Sequence, residues 1–130
     1  MEVLWAWLVI GWGPPRPCQV LAAIDVVRAE AWERSDPDLL TSLYAPGAGD
    51  ADVARLTAWD DRGVRLSGVR MVRSSCSARD GSTAVVVERL GPTVAHLPGG
   101  AQRLLPADDW SRRTVTVGRV DGRWRIVQVR

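Results

Sequence analysis

A chain of 130 residues is long enough for one domain with its own core and too short for two. Apolar residues make up 46% and charged residues 25%, which excludes a disordered or fibrous chain. The net charge is only +2, and the 17 basic residues, all arginine, are interspersed with 15 acids without forming a basic block, so the composition argues against nucleic acid as a partner.

Lysine, asparagine and phenylalanine are absent while alanine, valine, glycine and tryptophan abound. That bias is the mark of a GC-rich genome, and it lowers the functional weight of any single arginine. Two cysteines, Cys18 and Cys76, and one histidine, His96, cannot complete a zinc set, so neither a metal nor a cofactor is expected. The cysteines form one disulfide in an oxidising compartment or else sit as buried apolar residues; the second reading is favoured.

Residues 1–17 form an apolar and proline-rich segment ahead of the domain, which is drawn at 18–130. The apolar run from Val3 to Ile10 falls short of the roughly 20 residues that span a bilayer. Glu2 stands where a signal peptide carries basic residues. The segment is an extra element packed on the domain, the remnant of a longer anchor, or a misplaced start; a membrane tether requires the second of these.

Residues 19–47, QVLAAIDVVRAEAWERSDPDLLTSLYAPG, read as a long amphipathic helix, a break and a short second helix. At about 100° per residue, Val20, Leu21, Ile24, Val27, Ala31 and Trp32 share one face. Arg28 falls inside that apolar arc and is the misfit. Asp36 is placed as the N-cap of the second helix with Pro37 at its first position. Leu39, Leu40, Leu43 and Tyr44 follow as its apolar stripe. A third helix runs from residue 50 or 51 to 62, turning Val53, Leu56 and Trp59 or Ala58 inward, with Gly63 at its end.

The period then changes to two. Residues 64–72 predict a long strand bulged at Gly68, continuing through 74–77. TAVVVERL, after the Asp80-Gly81 turn, is the next strand; 93–97 extend it weakly past Gly91-Pro92. RRTVTVGRV, Asp121-Gly122 and WRIVQV form the clearest hairpin. In TAVVVERL, Glu88 shares a face with Ala84 and Val86, and either face is apolar enough to meet the helix. Glu88 is the acid of a strand interior, so an ion pair with Arg28 is expected, either fixing helix on sheet or anchoring a ligand.

Helices followed by a bent antiparallel sheet predict an α+β cone. The element order resembles the NTF2-like, or SnoaL-like, superfamily, and DPDLLTSLYAPG, RGVRLSGVRM, VERL and RVDGRWRIVQV resemble uncharacterised NTF2-like proteins of GC-rich bacteria. The resemblance implies N-terminal helices packed on a curved antiparallel sheet, a hydrophobic pocket, a homodimer through the sheet, and an extracytoplasmic or membrane-tethered rather than cytoplasmic setting. The pocket candidates are Arg28, Trp32, Tyr44, Glu88 and Trp124, with no catalytic residue assigned, and the ligand is a small apolar or anionic molecule. Trp32, Trp59 and Trp124 also fall at periodic core positions. His96 reads as a solvated loop-tip residue, and Trp110 as a cap on the cone or an interface. The favoured function is a non-catalytic ligand-binding or assembly module. The alternatives are an isomerase, dehydratase or cyclase working through Tyr44, Glu88 or His96, and a partner-binding domain that uses the sheet's outer face.

Overall fold

A computed structural model describes residues 16–130; the 1–15 portion of the apolar and proline-rich segment lies outside the described residues. Helix α1 (Pro17–Glu33) opens with proline at its first position, where the missing N–H has no helical partner to lose, and the Gln19 side chain reaches back to the Arg16 N–H at 3.1 Å. The expected arc is its buried face: Val20, Leu21, Ile24, Val27, Ala31 and Trp32 all enter the core. Ser35, at φ 49°, ends the helix in the left-handed conformation while the Ser35 and Asp36 N–H groups donate to Trp32 and Ala31 carbonyls.

Asp36 then caps α2 (Pro37–Thr41), its carboxylate accepting from the Leu39 N–H at 3.0 Å. Beyond it, Tyr44 bridges to Ile126 of the last strand, and the Ala45 N–H donates to the Ile126 carbonyl at 2.8 Å. A Cβ on Gly49 would lie 2.4 Å from the Tyr44 ring, so glycine at the head of α3 (Asp50–Asp61) is what lets Tyr44 pack there. Gly63, at φ 71°, closes α3 as expected.

Seven strands follow: β1 (Arg65–Ser67), β2 (Met71–Ala78), β3 (Thr83–Leu90), β4 (Thr93–His96), β5 (Gln102–Leu105), β6 (Ser111–Val120) and β7 (Arg123–Val129). They form two antiparallel sheets, β1-β4-β5 and β2-β3-β6-β7. The strand expected over 64–72 is therefore divided: Gly68, at φ 71°, is a break between sheets rather than a bulge within one. Gly91-Pro92 does the same between β3 and β4, and the Gly91 N–H donates to the Arg70 carbonyl at 2.8 Å, tying the two bends together. β5 is a strand that the sequence pattern did not suggest; it pairs with β4 across the Pro98-Gly99-Gly100 turn.

Bulges between Arg73 and Ser75 and between Thr116 and Val117 add curvature to the larger sheet. The β6–β7 hairpin turns on Asp121 (φ 52°) and Gly122 (φ 77°), the two positive φ values that a tight hairpin requires. The face of β3 carrying Ala84, Val86 and Glu88 meets the helices; all three are buried.

Helix and sheet are also joined covalently. Cys18, in the first turn of α1, is disulfide-bonded to Cys76 of β2, with Cα atoms 6.1 Å apart. Of the two readings left open for the cysteines the structure has the disulfide, not the favoured unbonded pair: β2 turns Cys76 to the face it shares with Val86, towards α1, and sequence spacing carries no trace of that approach. Among the described residues no helix is long and apolar enough to cross a membrane.

Candidate functional site

Two ion-pair groups lie between the helices and the sheet. In the first, Arg28 of α1 binds Asp52 of α3 through both ends of its fork, Nε to Oδ2 at 2.7 Å and Nη2 to Oδ1 at 3.1 Å. The Tyr44 hydroxyl donates to the same Oδ2 at 2.7 Å. In the second, Arg73 of β2 donates from Nε to Glu88 at 3.0 Å and from Nη1 and Nη2 to the two oxygens of Asp25, the Nη2 bond being 3.3 Å. Asp25 and Arg28 are one helical turn apart on α1, which brings the two groups side by side.

Two adjoining chambers open around them. One, of about 250 Å³, has mainly apolar walls that include Ala29, Trp32, Trp59, Leu66, Leu90 and Leu105, with Asp25 at its side. The other, of about 190 Å³, is polar and lined by Tyr44, Asp52, Glu88, Ser111 and Arg113 among others. Arg28, Arg55, Met71, Leu90 and Asp108 belong to both linings.

No family model matches the sequence, and no curated protein does. Solved structures do match in shape. The intermembrane-space region of the chloroplast protein ARC6 superposes with a TM-score of 0.57 at 12% identity, over 85% of this chain and 89% of that one. An uncharacterised protein with a cystatin-like fold from Caulobacter vibrioides gives 0.55 at 17%, over 87% and 86%. An NTF-2 like protein of unknown function from Shewanella oneidensis MR-1 gives 0.50 at 17%, over 87% and 96%. This chain has the NTF2-like fold. At these identities the likeness is one of fold alone.

Within this NTF2-like cone, Trp32 lines the apolar chamber, Tyr44 and Glu88 the polar one, and Arg28 both. Trp124 lies elsewhere, packed against the core beneath the Arg119 guanidinium at 5.4 Å, and lines neither chamber. The expected Arg28–Glu88 ion pair is absent among the described residues. Arg73 stands directly opposite Glu88 in the β2–β3 ladder and takes it, whereas α3 delivers Asp52 to Arg28. His96 is not a loop-tip residue: it ends β4, half-buried, with Nε2 2.8 Å from the Ser67 hydroxyl. Trp110 is 45% exposed under the Arg89 guanidinium.

Asp25, Asp52, Arg55, Arg73 and Arg113 are site residues that the sequence reading missed. A signal existed for Asp52, which shares an inward row of α3 with Leu56 and Trp59 at i, i+4 and i+7. For Arg73, the pairing with Glu88 follows only once the bulge after it sets the register.

The surroundings shift these groups in different directions. Burial presses Asp52 towards its neutral form, but the Arg28 bonds and charge, with the Tyr44 hydrogen bond, outweigh it and hold the carboxyl below its usual range. Burial of the Tyr44 hydroxyl raises its pKa, and the neighbouring Asp52 charge adds to this, so it stays a neutral donor. Arg28 is held charged by Asp52 against its own desolvation. Asp25 goes the other way: burial lifts it from 3.8 to about 6, Glu88 adding repulsion that Arg73 only partly offsets. Two carboxylates share one guanidinium there.

A raised folded-state pKa means that the stability Asp25 contributes is complete below 3.8 and is lost as pH rises through about 6. That gap corresponds to about 3 kcal/mol as an upper value, the side chain being 18% exposed. Asp25→Asn, neutral at every pH, is therefore expected to be more stable than the wild type at pH 7.5 and equal to it near pH 3.5. Urea denaturation at the two pH values measures this; a variant less stable at pH 7.5 would show that the Arg73 bond outweighs the burial.

Proposed function

We propose that this NTF2-like domain is a non-catalytic module that binds a small ligand between its helices and its sheet. The observation that carries the reading is the pair of adjoining chambers, apolar on one side and polar on the other, that share five lining residues between the helices and the sheet. The state of the ionisable groups supports it. Tyr44, Asp52 and Arg28 are bonded to one another, as are Asp25, Arg73 and Glu88, so proton transfer by any of these six groups would first have to break an ion pair or a buried hydrogen bond.

Filling the apolar chamber tests this directly. Ala29→Phe, on the α1 wall, is expected to abolish the fluorescence enhancement of the neutral probe N-phenyl-1-naphthylamine that the wild type produces, at a cost in stability of about 1–3 kcal/mol. Wild-type protein that gives no enhancement, or a variant that gives the same enhancement, would rule the chamber out as the binding site.

One observation favours a second reading, an isomerase, dehydratase or cyclase. Asp25 borders the apolar chamber with a pKa near 6, suited to accepting a proton at neutral pH. In that case Asp25, rather than Tyr44, Glu88 or His96, is the base, and Asp25→Asn abolishes turnover while leaving probe binding intact. The disulfide supports an extracytoplasmic setting for either reading, because such bonds persist in oxidising compartments. The proposed protein partner is a second copy, through the outer face of the larger sheet, where Val127 is 40% exposed; light scattering measures it.

A further inference from the structure

We infer that the ligand is an amphipathic monocarboxylate whose head is read by Arg55 and Arg113 and whose apolar tail lies against Trp32 and Trp59. This rests on the ligand-binding reading above and adds the chemical class. The polar chamber's acids and cations do not balance. Asp52 is taken by Arg28 and Glu88 by Arg73, leaving Asp108 as the lining carboxylate without an ion pair among the described residues. Against it stand Arg55 and Arg113, neither of which has an ion pair or a hydrogen-bonded side chain among the described residues, although both line this chamber; Arg89, the other lining arginine outside an ion pair, packs over the Trp110 ring at 4.3 Å. Arg28 and Arg73, by contrast, each make at least two bonds to carboxylates.

Position adds direction to charge. Arg55 lies on α3, three residues beyond Asp52, and belongs to the linings of both chambers, so it marks where they meet. Arg113 lies on β6 opposite Val86, on the sheet face that meets the helices. A head group held between α3 and β6 leaves the rest of the molecule facing the apolar chamber, whose walls include two indoles and four aliphatic side chains. With Arg89 turned to the Trp110 ring, two forks over one spare acid are left to receive an anionic head, and a carboxylate is a planar acceptor suited to guanidinium.

Three ligands with the same eight-carbon tail separate head from tail: octanoate, octanol and octylamine, titrated into the protein at pH 8 and low salt by calorimetry. Octanoate is expected to bind at least tenfold tighter than octanol, and octylamine more weakly than either. In the double variant Arg55→Gln/Arg113→Gln the octanoate affinity should fall at least tenfold, to the octanol level, with octanol unchanged. Equal binding of octanoate and octanol by the wild type, or a preference kept by the variant, would overturn the head-group assignment while leaving the pocket in place. A variant that loses octanol as well would make the arginines supports of the chamber rather than readers of the head, which also overturns it. Wild-type protein that binds neither octanol nor octanoate would overturn the ligand-binding reading itself.

Discussion

Arg28→Met is expected to destabilise the domain by about 3–5 kcal/mol at pH 7, the loss typical when one partner of a buried ion pair is removed. Asp52 would lose its cation and keep the Tyr44 hydroxyl bond, and the side chains of the pair are only 20% and 9% exposed. The cost belongs to the orphaned carboxylate rather than to the lost attraction. The double variant Arg28→Met/Asp52→Leu should therefore regain most of the stability, as paired replacement of buried ions by apolar groups often does. pH provides a second readout. Asp52 has a depressed pKa, so its contribution in the wild type is complete above 3.8 and falls away as pH drops through the folded-state value. Without Arg28, burial raises that pKa, so the deficit of the single variant should begin to shrink above pH 3.8, as the orphaned carboxyl takes up its proton, and shrink further below it as the wild type loses its own contribution. Guanidinium denaturation of the four proteins of this cycle measures all of it. A double variant as unstable as the single one would show that Arg28 acts through packing of its aliphatic stem.

Breaking the Cys18–Cys76 bond is expected to cost about 4 kcal/mol. The bond closes a loop over a sequence separation of 58, and the chain-entropy estimate for a loop of that length is about 4 kcal/mol at 25 °C. Part of the effect is local, because the bond ties the first turn of α1 to β2 on the same side as Asp25 and Arg73. Cys18→Ser/Cys76→Ser and the reduced wild type should unfold at the same lower denaturant concentration, both below the oxidised protein. Thiol titration of the native protein should find no free cysteine among these two. Reduced and oxidised proteins that unfold together would show that the bond constrains nothing in the unfolded chain.

Local chemistry made much of the helical half legible. The apolar arc of α1, the Asp36 cap with Pro37 and the Gly63 terminus are decided by residues within one or two turns of each other, and all three are present. The β6–β7 hairpin is local in the same sense. The divided sheet was less accessible. A glycine within an alternating run marks a bulge or a corner equally well, and what decides between them at Gly68 is whether β1 pairs with β4 or with a neighbour of β2. β5 is short and largely exposed, so it carries no hydrophobic alternation to reveal it.

The site shows the same boundary more sharply. That Arg28 required a buried partner follows from its place in the apolar arc of α1, because an unpaired charge there is too costly to persist. Which carboxylate answers it does not follow, since Asp52 and Glu88 are both acids within reach of a helix whose neighbours are unknown. Ion pairing acts over a few ångströms, and sequence determines those distances only along one helix or strand. Composition, periodicity and caps determined the helices, the β6–β7 hairpin, the α+β class and the presence of a buried charge. The packing of α3 against α1, the bulged register that sets Arg73 beside Glu88, and the approach of Cys18 to Cys76 were decided by the tertiary structure alone, because each joins groups from different elements.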